Sequence, residues 1–143
     1  MQRHTLLILA AAMAIASSAA EAKRSGTETA AARDKGVREN EMLELDPTAR
    51  IEQRCNARGM GEVGRDHRDM KPDELVAYAY KDTKITGSTI KAPGAAIRSG
   101  STWYHMSYQC ETTADGLDVR SFDYSLGDAI PKDEWGQHYL VAP

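Results

Sequence analysis

Large hydrophobic residues fall into three regimes along the chain. There is an apolar run from Leu6 to about Ile15, a polar stretch from Lys23 to Glu44 where they are scarce, and two clear periodicities from Leu45 onward. In the third regime Ile51, Cys55, Gly59 and Val63 recur every four residues, the spacing of one helix face. Asp46 is placed to cap that helix, and Pro47 occupies its first turn at no hydrogen-bond cost. The stripe predicts a helix to about Gly64. Gly59 and Gly61 each cost such a helix about 1 kcal/mol relative to alanine, so a stop near Arg58, with Gly59 as C-terminal cap, is the alternative.

Downstream the period shortens to two. Leu75-Val76-Ala77-Tyr78-Ala79-Tyr80 reads as a strand, and residues 81–94, with Gly87, Pro93 and Gly94, read as a loop. Ala95 to Arg98, Thr102 to Cys110 and Val119 to Leu126 read as a meander turned at Ser99-Gly100 and Ala114-Asp115-Gly116. A short helix is expected around Pro131 to Trp135. Alternation puts Tyr104, Met106, Tyr108, Cys110, Phe122, Tyr124 and Leu126 on a core face, and Trp103, His105, Ser107, Gln109, Ser121, Asp123 and Ser125 on an outer face. The expected architecture over residues 45–143 is one α+β domain, an N-terminal helix packed on an antiparallel sheet of about four strands.

The apolar run changes this picture by giving the chain an address. It follows Arg3, is too short to span a bilayer, and ends in small residues up to Ala20-Glu21-Ala22, the layout of a cleavable secretory signal over residues 1–22. A periplasmic or secreted chain starting at Lys23, with no membrane span after cleavage, is the expectation. Residues 23–44 read as a polar linker, disordered or partly helical. In an oxidising compartment two cysteines predict one disulfide. Cys55 lies on the helix stripe and Cys110 on the core face, so a Cys55–Cys110 bond would tie helix to sheet. The net charge of −3 over 143 residues, without a basic stripe, makes nucleic acid a poor partner.

Several strings then stand together: Arg50-Ile51-Glu52-Gln53-Arg54-Cys55 after Leu45-Asp46-Pro47, Val76-Ala77-Tyr78-Ala79, Trp103-Tyr104 with Tyr108-Gln109-Cys110, and Ser121-Phe122-Asp123-Tyr124 with Gly127 and Ile130-Pro131. In these the chain resembles the domain-of-unknown-function family 930. The resemblance implies an exported alphaproteobacterial protein without an assigned activity, and it carries no catalytic motif. Gly59-Met60-Gly61 departs from the better helix formers expected there.

Candidate chemistry is sparse. Gly59-Met60-Gly61-Glu62-Val63-Gly64 matches G-x-G-x-x-G but follows no strand, so no dinucleotide or other cofactor is expected. Asp66-His67-Arg68-Asp69 lacks the spacing of a zinc site, and Asp115 and Asp118 lack the other ligands of a calcium loop, so no metal is expected. If Tyr108 faces Phe122 across the last two strands, Ser107 faces Asp123 and His105 faces Ser125. That gathers the residue types of nucleophilic catalysis, with His105, Asp123 and Ser125 as the candidates. No nucleophile elbow or oxyanion hole accompanies them. Trp103 and His105 on the outer face are the expected contact point of a non-catalytic binding module, its partner an envelope protein or small ligand; a small hydrolase using His105 is the alternative.

Overall fold

A computed structural model describes residue 33 and residues 35–143. The signal expected over residues 1–22 lies outside these residues, as does half of the polar stretch that follows it. Within that stretch residues 35–44 are helical, with Lys35 and Glu39 paired at 3.5 Å. Among the described residues no helix is long and apolar enough to cross a membrane.

Helix α1 spans Pro47–Asp66. Asp46 Oδ1 accepts a hydrogen bond from the Thr48 N–H at 2.9 Å, satisfying one of the free donors of the first turn. The His67 N–H closes the far end on Val63 O. The helix therefore runs through both glycines instead of stopping at Arg58. Packing explains this: Gly59 is buried, and a Cβ there would lie 2.8 Å from Phe122 Cζ and 3.0 Å from Leu75 Cδ1. Close approach to the sheet offsets what the glycine costs in propensity. The G-x-G-x-x-G string is thus the interior of a helix.

The sheet is antiparallel and five-stranded: β1 Pro72–Val76, β2 Lys84–Thr86, β3 Thr89–Ser99, β4 Thr102–Thr112 and β5 Val119–Ala129. Its order is β1-β3-β4-β5, with β2 also on β3. The α+β class is as the periodicities predict, but the edge differs. The strand expected at 75–80 starts earlier, at Pro72, and ends at Val76. After an excursion through residues 77–83 the chain rejoins the same flank of β3 as β2. The stretch 81–94 is therefore not a loop. It holds β2, a turn with Gly87 at φ +58°, and the first half of β3.

Pro93 and Gly94 mark a bulge, where the register on β4 jumps from Ala92↔Tyr108 to Ala95↔Met106. The extra residue keeps Ala92 and Ala95 on the same, buried face, and the missing N–H of Pro93 costs least at such a point. The excursion crosses this bulge closely, with the Tyr80 N–H bonded to Gly94 O at 2.8 Å.

Helix α1 covers the inner face, where Ile51, Cys55 and Val63 meet Ile90, Ile97, Met106 and Tyr108. Cys55 and Cys110 form the expected disulfide, their Cα atoms 6.0 Å apart. Asn56 sits beside it, buried, accepting from the Tyr108 hydroxyl at 2.8 Å and donating to Leu75 O. Burial raises the Tyr108 pKa. Arg50 closes the end of the domain, its guanidinium donating to the carbonyls of Met42, Leu43, Leu45 and Asp115.

A second, smaller core lies on the outer face. After β5 the chain folds back through a 3-10 turn, Trp135–His138, slightly later than the helix expected at Pro131 to Trp135. Ile130, Trp135 and Leu140 pack there on Trp103, Ala96 and Ala79.

Candidate functional site

The outer face is the candidate site, and the structure corrects two expectations about it. Trp103 is not exposed: none of its surface is accessible. Its indole N–H donates to Val141 O at 2.9 Å, and the Ile130 N–H donates to Trp103 O at 2.8 Å. Alternation does put Trp103 on the outer face, but the C-terminal segment returns over that end of the sheet and buries it. Trp103 is a core residue.

The second correction concerns register. Tyr108 pairs with Tyr124, Ser107 with Ser125, Gln109 with Asp123 and Cys110 with Phe122, a two-residue slip from the expected pairing. His105 consequently stands against Gly127, where a Cβ would lie 3.0 Å from the His105 Cβ. Asp123 is level with Gln109, four residues along β4 from His105, or roughly 13 Å at strand rise. His105, Ser125 and Asp123 therefore do not assemble as a base, nucleophile and orienting carboxylate, which must lie within hydrogen-bond reach in series.

His105 instead packs on Tyr80, their ring centroids 4.6 Å apart, and His138 stacks on the same tyrosine at 3.7 Å. The interrupted edge strand carries Tyr80 over the bulge, and the C-terminal turn brings in His138. The Tyr80 hydroxyl donates to Glu134 Oε2 at 3.0 Å; burial, then this carboxylate, push its pKa up to about 12. His138 Nδ1 lies 2.9 Å from Ala79 O. A carbonyl only accepts, so Nδ1 carries the proton. Sequence reading misses this three-ring stack, because nothing local in the chain joins residues 80, 105 and 138.

Beside the stack two adjoining open depressions, each about 330 Å³, cross the polar part of the sheet. They share Pro93, Ser107 and Ser125; Tyr80, Lys81 and His105 line one, and Lys91, Gln109 and Asp123 the other. The exposed aromatic surface expected of Trp103 comes from elsewhere. Tyr139 is 71% exposed and Tyr78 47%, and their rings meet edge to face at 5.8 Å. Tyr139 has φ +60°, a left-handed backbone that costs a non-glycine residue on the order of 1 kcal/mol.

Asp66, His67 and Asp115 have structural partners. Asp66 Oδ2 accepts from the Tyr124 hydroxyl at 2.8 Å, and His67 meets the Tyr124 ring edge to face. Asp115 accepts from the Thr113 hydroxyl and the Leu117 N–H within its turn, which holds its pKa below the usual carboxylate value. Among the described residues no three of His, Cys, Asp and Glu converge as metal ligands would.

A family profile described as Domain of Unknown Function (DUF930) matches residues 42–140. The chain belongs to the DUF930 family. The match opens at Met42, the first residue whose carbonyl Arg50 holds, and ends at Leu140, the last apolar residue packed over Trp103. The DUF930 domain thus takes in both cores, the disulfide and the three-ring stack. No curated protein and no solved structure matches the chain.

Proposed function

We propose that this DUF930 protein is an exported, periplasmic, non-catalytic binding module, and that it holds an extended segment of an envelope protein against its outer sheet face. The observation that carries the reading is Tyr139. An exposed tyrosine kept in a left-handed conformation and braced by Tyr78 spends stability on presenting an aromatic ring, and strain of this kind concentrates at binding sites. Tyrosine is a favoured interface anchor because it offers a large amphipathic surface with few rotatable bonds. The open, polar floor around Ser107 and Ser125 suits hydrogen bonding to an extended chain, and it lacks the enclosure that a hydrolytic site uses to exclude water. The signal layout of residues 1–22 and the disulfide are in keeping with export.

The test uses protein recovered from the periplasm, where N-terminal sequencing should begin at Lys23. Tyr139→Gly relieves the backbone strain, so its thermal midpoint should equal or exceed that of wild type, while capture of the envelope partner falls about tenfold for loss of an aromatic anchor. Ser125→Trp, which fills the depression from an exposed position, should weaken capture as well. Undiminished capture by both folded variants refutes the outer face as the contact site.

A further inference from the structure

The two edges of the sheet are built differently. One consists of β1 and β2, five and three residues long, broken by the excursion through 77–83 and carrying Pro72 and Lys84. Short strands, proline and lysine are the usual protections against edge-to-edge pairing. The other edge is β5, eleven residues long, without proline or lysine. Among the described residues no backbone group pairs with its outer side. Phe122, Tyr124 and Leu126 pack on the core yet remain only partly buried, which leaves a row of apolar flanks along this free edge.

The sequence of β5 is also complementary to itself. Laid antiparallel on a second copy and centred on Tyr124, it sets Phe122 opposite Leu126, Asp123 opposite Ser125, and Arg120 opposite Asp128, each pairing occurring twice across the twofold axis. Arg120 and Asp128 are exposed and, among the described residues, form no ion pair within the chain. Register irregularities on the β4 side flank the central stretch at each end, which confines regular pairing about Tyr124 to residues 122–126 and leaves the two charges as terminal clasps beyond it. We propose that β5 is a homodimerisation edge, pairing antiparallel with β5 of a second copy about Tyr124 and joining two five-stranded sheets into one. Directly opposed residues on antiparallel strands share a face, so the apolar pairs continue the inner layer of each subunit and the serines continue the outer one.

Sedimentation velocity on the disulfide-bonded chain, over a wide range of concentration, should show a reversible monomer–dimer equilibrium. Arg120→Asp or Asp128→Arg replaces two attractions with two repulsions and should weaken the dimer about tenfold. The exchange Arg120→Asp/Asp128→Arg should restore wild-type affinity, with far-UV circular dichroism confirming that all three variants fold. A chain that stays monomeric at every concentration overturns the proposal. So does a dimer indifferent to single reversals, or one that the double exchange leaves as weak as the single variants.

Discussion

Two partly buried tyrosines donate to carboxylates, Tyr80 to Glu134 and Tyr124 to Asp66, and both are pushed from 10.0 up to about 12, first by burial and then by these bonds. A phenolate beside a carboxylate is penalised twice, by lost hydration and by like charge. The folded chain therefore keeps these protons over a range in which the unfolded chain releases them. Their contribution to stability is complete below pH 10 and is lost as the pH rises from there through about 12. Alkaline unfolding followed by circular dichroism should show a decline in that window, and Tyr80→Phe together with Tyr124→Phe should reduce it, leaving the share due to the buried Tyr108. A spectrophotometric phenol titration of the folded protein checks the same point, since Tyr80 and Tyr124 should ionise late, together with the buried Tyr108.

At the scale of elements, the interrupted edge strand depends on one residue. A Cβ on Gly94 would stand 2.5 Å from the Lys81 backbone nitrogen and 3.0 Å from the Tyr80 carbonyl carbon, and backbone yields less readily than the tip of a side chain. Gly94→Ala should cost about 3 kcal/mol, read from the shift of a urea midpoint at unchanged slope. It should also loosen Tyr80 from His105. The sequence carries little sign of this device. Helix α1, the second half of β3, and β4 and β5 are legible because their apolar residues keep a period that burial on one face imposes. Ala77 to Tyr80 look like a strand by composition, but hydrogen-bond partners decide strands, and at its bulge β3 meets this stretch with one bond, from the Tyr80 N–H to Gly94 O, in place of a ladder. Likewise His105, Ser107, Asp123 and Ser125 can be assigned to the outer face by alternation alone, whereas the β4-β5 pairing depends on irregularities that no residue type announces. The burial of Trp103 depends on a segment about thirty residues downstream, and the backbone angle of Tyr139 has no compositional trace at all.

For the whole molecule, the inner and outer cores differ in how they are held. The outer one rests on the return of the C-terminal segment over Trp103; the inner one is crossed by the disulfide. Closing a loop with a separation of 55 residues is worth about 4 kcal/mol in the chain-entropy model, a large share of the stability of a domain this size. Cys55→Ser should destabilise the protein by about 2–5 kcal/mol in equilibrium denaturation. The Asn56–Tyr108 bond beside it should keep the variant's helix on the sheet while it stays folded.

The Cys55–Cys110 disulfide also sets what the chain requires during biogenesis. With two cysteines in the entire sequence, oxidation within one chain has a single product, and no wrong pairing is available to be corrected. Cys55 has only to wait for the stretch that ends in Cys110. With the export proposed above, maturation calls on a thiol oxidase but on no disulfide isomerase, and cells lacking the isomerase should accumulate the protein at an undiminished level.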